Sequence, residues 1–218
     1  MLRVLCALCF LRFCSYNSSN APDPPHMRSD VTAFVLAGGK STRMGADKAF
    51  VRLGNETFLD RALKLARAVA DEVRIVGDTK KFAGFNCAVV EDVYRDCGPL
   101  GGIHAALNSS RSELNLVLAV DLPLMRPEFL DYLIRQARDV GAIVSVPNAA
   151  GGLQPLCAVY RREFAAIADE SLRAGKNKID PLFAKVRAQV IEEGELVRAG
   201  FSAEMFRNVN TPGDLAET

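Results

Sequence analysis

Residues 31–48 read VTAFVLAGGKSTRMGADK. The first six, Val31 to Leu36, make a compact apolar run with no helical period, and Gly38 and Gly39 close it. Such a run reads as a strand buried on both faces of a parallel sheet. The segment that follows changes character at once. Gly38 and Gly39 carry no side chains where a backbone must approach a ligand, so successive N–H groups can point at an anion. Lys40, Arg43 and Lys48 add three cations, and Asp47 is the one carboxylate among them. The loop is neither a Walker loop nor a dinucleotide GxGxxG. Taken as composition alone, it fits a polyphosphate site and a flexible, solvated loop equally well.

Outward from this loop, strands and helices alternate. Phe58, Leu59, Ala62, Leu63, Ala66, Val69 and Ala70 recur at helical spacing, with Arg61, Lys64 and Arg67 on the wet face. Strands are expected over 73–76 and 87–90. Residues 98–107, GPLGGIHAAL, read as a loop that continues as a helix. The most apolar strand runs over 114–120 and stops at Asp121. Pro127 suits the first turn of a helix reaching Val140. Further strands are expected over 142–146, 156–160 after the Gly151-Gly152 turn, and 189–191. Helices are expected over 162–173, just after Pro181, and from Thr211-Pro212. This order predicts an α/β fold of three layers, α/β/α, with a mainly parallel sheet.

Length and composition narrow the class. The 218 residues suit one domain with an appendage, and 49% apolar with 24% charged residues is ordinary globular composition. A net charge of +1 gives no global field for nucleic acid or an anionic membrane, so any anionic ligand must be held locally. Residues 1–30 differ from the rest: a short apolar run broken by Arg12, a Ser/Asn stretch, then APDPP. The run is too short to span a bilayer and lacks a nearby small-x-small cleavage site. We therefore expect residues 1–30 to be an extension, with Met27 the functional start and residues 31–218 a single domain. Starting at Met27 removes Arg3, Arg12 and Asp23 and would bring the net charge to zero. Cys6, Cys9 and Cys14 crowd the extension while Cys87, Cys97 and Cys157 are scattered. That is not a disulfide framework, and it fits the reducing cytoplasm.

In open parallel sheets ligands bind outside the carboxyl ends of the strands, so the loops after Leu36, Val90 and Val120 are where chemistry is sought. Asp121, followed by Pro123, is placed to hold a hard cation such as Mg²⁺ against phosphates, although an Asp at a strand end is also a common turn former. Asp92, in Val89-Val-Glu-Asp92, could accept hydrogen bonds from a nucleoside. The Gly98-Pro-Leu-Gly-Gly102 turn beyond it could let a flat base lie against backbone, or simply cap a helix.

These strings also resemble a known family. LAGGKSTRMGADK at 36–48, VVED ending at Asp92 with GPLGGI at 98–103, AVDLPLM at 119–125 and NVNTPGDL at 208–215 agree in order and spacing with the molybdenum cofactor guanylyltransferases. The resemblance covers about Val31 to Leu215. It implies a Rossmann-like, glycosyltransferase-A-like nucleotidyltransferase fold and Mg²⁺-dependent transfer of GMP from GTP to molybdopterin carrying molybdenum. It places Leu36, Ala37, Gly38 and Gly39 at the guanine nucleotide, Lys48 at the phosphates, Asp92 at the nucleotide, and Asp121 at both GTP and Mg²⁺. Arg43 matches the motif arginine near the phosphates, and with Lys48 and Asp121 makes up the expected catalytic set. Asn208 and Asn210 fall on the pterin side of the cleft. Molybdopterin-delivery proteins and client molybdoenzymes are the implied partners. One departure stands out: many members end the second strand with an asparagine, whereas this chain has Ile75-Val-Gly-Asp78. That contact is then absent or supplied by backbone.

The chemistry agrees with the resemblance. An attacking phosphate is already anionic, so no general base is needed, and neither His26, His104 nor any cysteine has to be catalytic. Two other readings stay open on the residues alone. One is a related transferase using CTP on the same pterin or acting on a sugar phosphate; the other is a nucleotide-binding module without catalysis.

Overall fold

Strand β1 (Val31–Leu36) is buried along its whole length. Its side chains alternate as the pleat requires: Val31, Ala33 and Val35 enter one core, while Phe34 and Leu36 enter the other. The computed structural model describes residues 30–38 and 47–208. The extension over 1–29 and the helix expected from Thr211-Pro212 fall outside the described residues.

After the glycine loop comes a single 3-10 turn over Lys48–Phe50, then a small hairpin of β2 (Arg52–Leu53) and β3 (Glu56–Thr57). Helix α1 (Phe58–Val69) opens on a capping box. The Thr57 side chain accepts from the Asp60 N–H, and the Asp60 side chain accepts from the Thr57 N–H. β4 (Glu72–Val76) and β5 (Ala88–Val90) follow, then α2 (Pro99–Ser109), β6 (Leu114–Ala119) and α3 (Pro127–Val140). α3 starts on Pro127 and stops at Gly141, whose φ of 63° is the left-handed conformation that ends helices. The remainder comprises β7 (Val144–Ala149), β8 (Gly152–Leu153), β9 (Cys157–Arg161), α4 (Phe164–Arg173), α5 (Asp180–Phe183), β10 (Ala188–Glu192) and α6 (Glu193–Arg198).

The sheet order is β10-β7-β9-β6-β1-β4-β5, with β8 paired to β7. β1 pairs in parallel with β4 on one side and β6 on the other, and β5 and β10 are also parallel to their neighbours. β9 runs antiparallel between β6 and β7, so the sheet is mixed but mainly parallel. Helices α1 and α3 contribute to the core on one face; α2, α4 and α5 contribute to the core on the other. The three-layer α/β/α architecture is thus the one that the alternation predicts.

Chain direction places the site. From β1 the chain moves outward to β4 and β5, then crosses back to set β6 on the opposite side of β1. The carboxyl ends of β1 and β6 therefore flank a topological switch point, where ligands of open α/β sheets bind. Across it, the Val120 N–H donates to the Leu36 carbonyl at 3.3 Å.

Candidate active site

Lys48 and Asp121, 73 residues apart in sequence, meet at this switch point with Nζ to Oδ2 at 2.7 Å. Both are partly shielded, with 22% and 19% of their side chains exposed. The two predicted residues of opposite charge are thus brought together at the end of the most buried strands. Lys48 is held from below. The Asp47 side chain accepts from the Ala49 N–H at 3.1 Å, Ala49 is fully buried, and the Val51 N–H closes onto the Lys48 carbonyl at 3.1 Å. Asp121 stands on the turn leading from β6 to α3. On that turn the Met125 N–H donates to the Leu122 carbonyl, and the Arg61 guanidinium donates to the Pro123 carbonyl at 2.8 Å.

Arg61 is the residue that sequence periodicity misplaces. Its spacing on α1 assigns it to the wet face, yet its Nε is buried and its Nη2 anchors the Asp121 turn. Lys64 and Arg67 are exposed as expected.

Leu36 and Ala37 sit at the exit of β1 with buried side chains, so what they can offer a ligand is backbone. The Ala37 N–H donates to the Val76 carbonyl at 3.0 Å, and Gly38 beyond it is exposed. Gly39, Arg43 and Lys40 lie outside the described residues.

Asp92 follows β5 and turns inward. A Cβ built on Gly102 would lie 3.6 Å from Asp92 Oδ1, 3.3 Å from Leu36 Cδ2 and 3.5 Å from Val76 Cγ1. The missing side chain at Gly102 thus lets Asp92 and Leu36 pack against the same point of α2. Asp92 Oδ1 is buried and has no hydrogen-bond partner in the protein, and burial pushes its carboxyl above the ordinary aspartate range. A buried acceptor left without a donor costs free energy unless a ligand supplies one.

One expectation for this segment is corrected. GPLGGI does not open as a loop that a base could lie on: α2 begins at Pro99, and Gly101 and Gly102 are buried inside it. Gly101 serves packing too, since a Cβ there would come within 2.9 Å of the Tyr94 carbonyl oxygen. Only Gly98, with a φ of 67°, uses a glycine's freedom in a turn.

At the end of β4, Gly77 and Asp78 have local duties. The Gly77 N–H donates to the Val90 carbonyl at 2.9 Å, and Asp78 Oδ1 accepts from the Lys80 and Lys81 N–H groups at 2.8 and 3.2 Å.

On the opposite flank, Asn208 is exposed and Asn210 lies outside the described residues. Two residues before Asn208, Phe206 packs edge-on against Phe129 in the first turn of α3, with ring centroids 5.3 Å apart. Asn208 therefore leaves from an anchor on the helix that the Asp121 turn feeds.

His104 and Cys157 are both buried. His104 Nε2 lies 2.7 Å from Asn108 Nδ2, and its ring meets Tyr94 edge-on at 5.1 Å. Cys157 lies inside β9 with its thiol pKa pushed far up by burial. Among the described residues no helix is long and apolar enough to cross a membrane.

Comparison with known proteins gives the family and the fold. The profile of the MobA-like NTP transferase domain matches residues 33–189. A probable molybdenum cofactor guanylyltransferase of Pelotomaculum thermopropionicum is 37% identical over 85% of this chain and 90% of its own length. The molybdenum cofactor guanylyltransferase of Desulfosudis oleivorans is 33% identical over 85% of this chain and 92% of its own. Among solved structures, molybdopterin-guanine dinucleotide biosynthesis protein A of Archaeoglobus fulgidus superposes with a TM-score of 0.76 at 25% identity, covering 85% of this chain and 95% of that one. With the motif strings, the switch-point site and these matches in agreement, the chain belongs to the MobA-like NTP transferase family, alongside the molybdenum cofactor guanylyltransferases.

Proposed function

We propose that residues 31–218 act as one unit that transfers GMP from GTP to the terminal phosphate of molybdopterin carrying molybdenum, releasing pyrophosphate. The Lys48–Asp121 pair at the switch point, 2.7 Å between Nζ and Oδ2, is the observation that carries this reading. In the reaction a phosphate oxygen of the pterin forms a bond to the α-phosphorus, and the bond from that phosphorus to the bridging oxygen of the β-phosphate breaks. The pyrophosphate leaves with that electron pair. Lys48 turns from Asp121 to the phosphates and stabilises the charge that builds on the transferred group. Arg43 adds a second cation there. Asp92 accepts from the nucleotide, while Leu36, Ala37, Gly38 and Gly39 line its path with backbone. Asn208 and Asn210 face the pterin.

Asp121 suits a hard cation. It is a partly exposed carboxylate, and among the described residues no group of three or more His, Cys, Asp or Glu could hold a metal by itself. That donor set fits Mg²⁺, which commonly takes one or two protein carboxylates and completes its shell with substrate phosphates and water. When bound, Mg²⁺ at Asp121 supplies charge neutralisation for the phosphates. The cytoplasm, with delivery proteins before the reaction and client molybdoenzymes after it, is the setting this reading implies. The free thiols of Cys87, Cys97 and Cys157 support a reducing one.

Purified protein mixed with molybdopterin, Mg²⁺ and each of the four NTPs in turn tests the reading. Pyrophosphate release with GTP alone is expected. Preference for CTP would replace it with the cytidylyl reading, and nucleotide binding without release would make the chain a binding module.

A further inference from the structure

Lys81 stands on the β4–β5 connection, three residues after Asp78, yet it reaches the turn that carries Lys48. Its Nζ forms an ion pair with Asp47 Oδ2 while Asp47 Oδ1 accepts from the Ala49 N–H. Both oxygens of one carboxylate are therefore engaged, one by each segment. The ammonium also lies 4.7 Å from the ring centre of Phe82 and 5.6 Å from that of Phe50, so its surroundings are aromatic on two sides. The turn presenting it is built in advance. Asp78 Oδ1 accepts from the Lys80 and Lys81 N–H groups, and the Phe82 N–H closes onto the Asp78 carbonyl at 3.1 Å. Gly77 makes room for the fully buried Phe82, because a Cβ there would lie 2.7 Å from Phe82 Cε2.

We propose that Lys81 is a positioning residue for the transfer: held on Asp47, it clasps the β4–β5 connection to the end of the glycine loop and so fixes the stance of Lys48. The proposal rests on the reading of Lys48 as the cation at the phosphates. A cation on a flexible loop loses its effect when its base drifts by an ångström or so, since transition-state stabilisation depends on preset geometry. The clasp also explains why Gly77-Asp78 ends β4 here: the pair serves the turn that carries Lys81.

Three variants of the full chain test this: Lys81→Met, which keeps the alkyl stem on the rings, Lys81→Arg, which keeps the charge, and Asp47→Asn. Amide hydrogen exchange of residues 48–51, without any substrate, is expected to quicken roughly tenfold in Lys81→Met, to return to near the wild-type rate in Lys81→Arg, and to leave β6 unchanged. Exchange at 48–51 that is indifferent to Lys81 would overturn the clasp. For GTP turnover, Lys81→Met and Asp47→Asn should each lower kcat about tenfold, with KM for GTP changed less than about threefold, and the double variant should be no worse than either single one. Losses that multiply would make Lys81 act on its own, against the proposal. If the wild-type protein releases no pyrophosphate, the transferase reading fails, while the exchange experiment still decides the clasp.

Discussion

At the scale of single residues, Asp92 is the clearest conflict between stability and use. Its Oδ1 is buried and lacks a protein donor, and burial holds its carboxyl above the ordinary value of 3.8. For an acid with a raised folded pKa, the penalty is absent below pH 3.8 and grows as pH rises through the folded pKa. Asp92→Asn should therefore raise Tm at pH 7 and weaken GTP binding in the same protein, with the gain in Tm shrinking towards pH 3.8. Thermal scans at several pH values, together with nucleotide titration, check both parts. The Lys48–Asp121 pair is a different case. As a partly exposed ion pair it contributes on the order of 0.5 kcal/mol to stability, so removing it should barely move Tm. Lys48→Ala should nevertheless cost about 10²–10³-fold in kcat, the usual scale for losing a group that faces transition-state charge. Asp121→Asn should abolish Mg²⁺-dependent pyrophosphate release with the fold intact, as judged by circular dichroism.

At the scale of elements, α2 joins the site to the rest of the protein through two missing side chains. Gly101→Ala would press a methyl group against the Tyr94 carbonyl, which is backbone and has little room to yield. A loss of about 1–3 kcal/mol is expected. Weaker nucleotide affinity should accompany it because Tyr94 and Asp92 share one loop; chemical denaturation and binding measurements test the two effects. Lower on α2, His104 is held below its ordinary value of 6.5 by burial, which outweighs the pull of Asp169. A histidine with a depressed folded pKa leaves the protein stable above pH 6.5 and takes stability away as pH falls below it, because the unfolded chain binds the proton first. His104→Gln should flatten the fall in Tm as pH drops below 6.5. These elements also show what can be read from sequence. β1 and β6 are buried runs with one polar residue each, Thr32 and Asn115, and α3 carries Pro127 and Gly141 as start and stop, so their bounds are legible. Two-residue strands such as β2, β3 and β8 leave no period to read, and α6 directly follows β10 without a break. The glycine pair in α2 shows a related ambiguity: glycine marks a turn or a close contact alike, and only the packing tells them apart.

At the scale of the whole molecule, alternation of strands and helices was enough to predict the layers and the mainly parallel sheet. It could not show that β9 runs antiparallel, since a strand buried on both faces has the same apolar pattern in either direction. The candidate chemical residues stand in recognisable motifs, while the residues that hold them do not. Arg61 obeys the period of α1 and still reaches Pro123, 62 residues away. Lys81 meets Asp47 across 34 residues. Neither link leaves any mark in local sequence: the first needs β6 docked on one side of β1, and the second needs β4 docked on the other.

That crossing bears on how the protein is made. β1 leaves the ribosome early, with its two apolar faces and both hydrogen-bonding edges exposed. One edge waits for β4, the other for β6, whose own far edge is covered only when β9 arrives. A strand left open in this way is where a nascent chain aggregates or needs a chaperone. Lys48 and Asp121 can meet only after β6 has docked, so the proposed site is completed by the same long-range step that ends the exposure of β1.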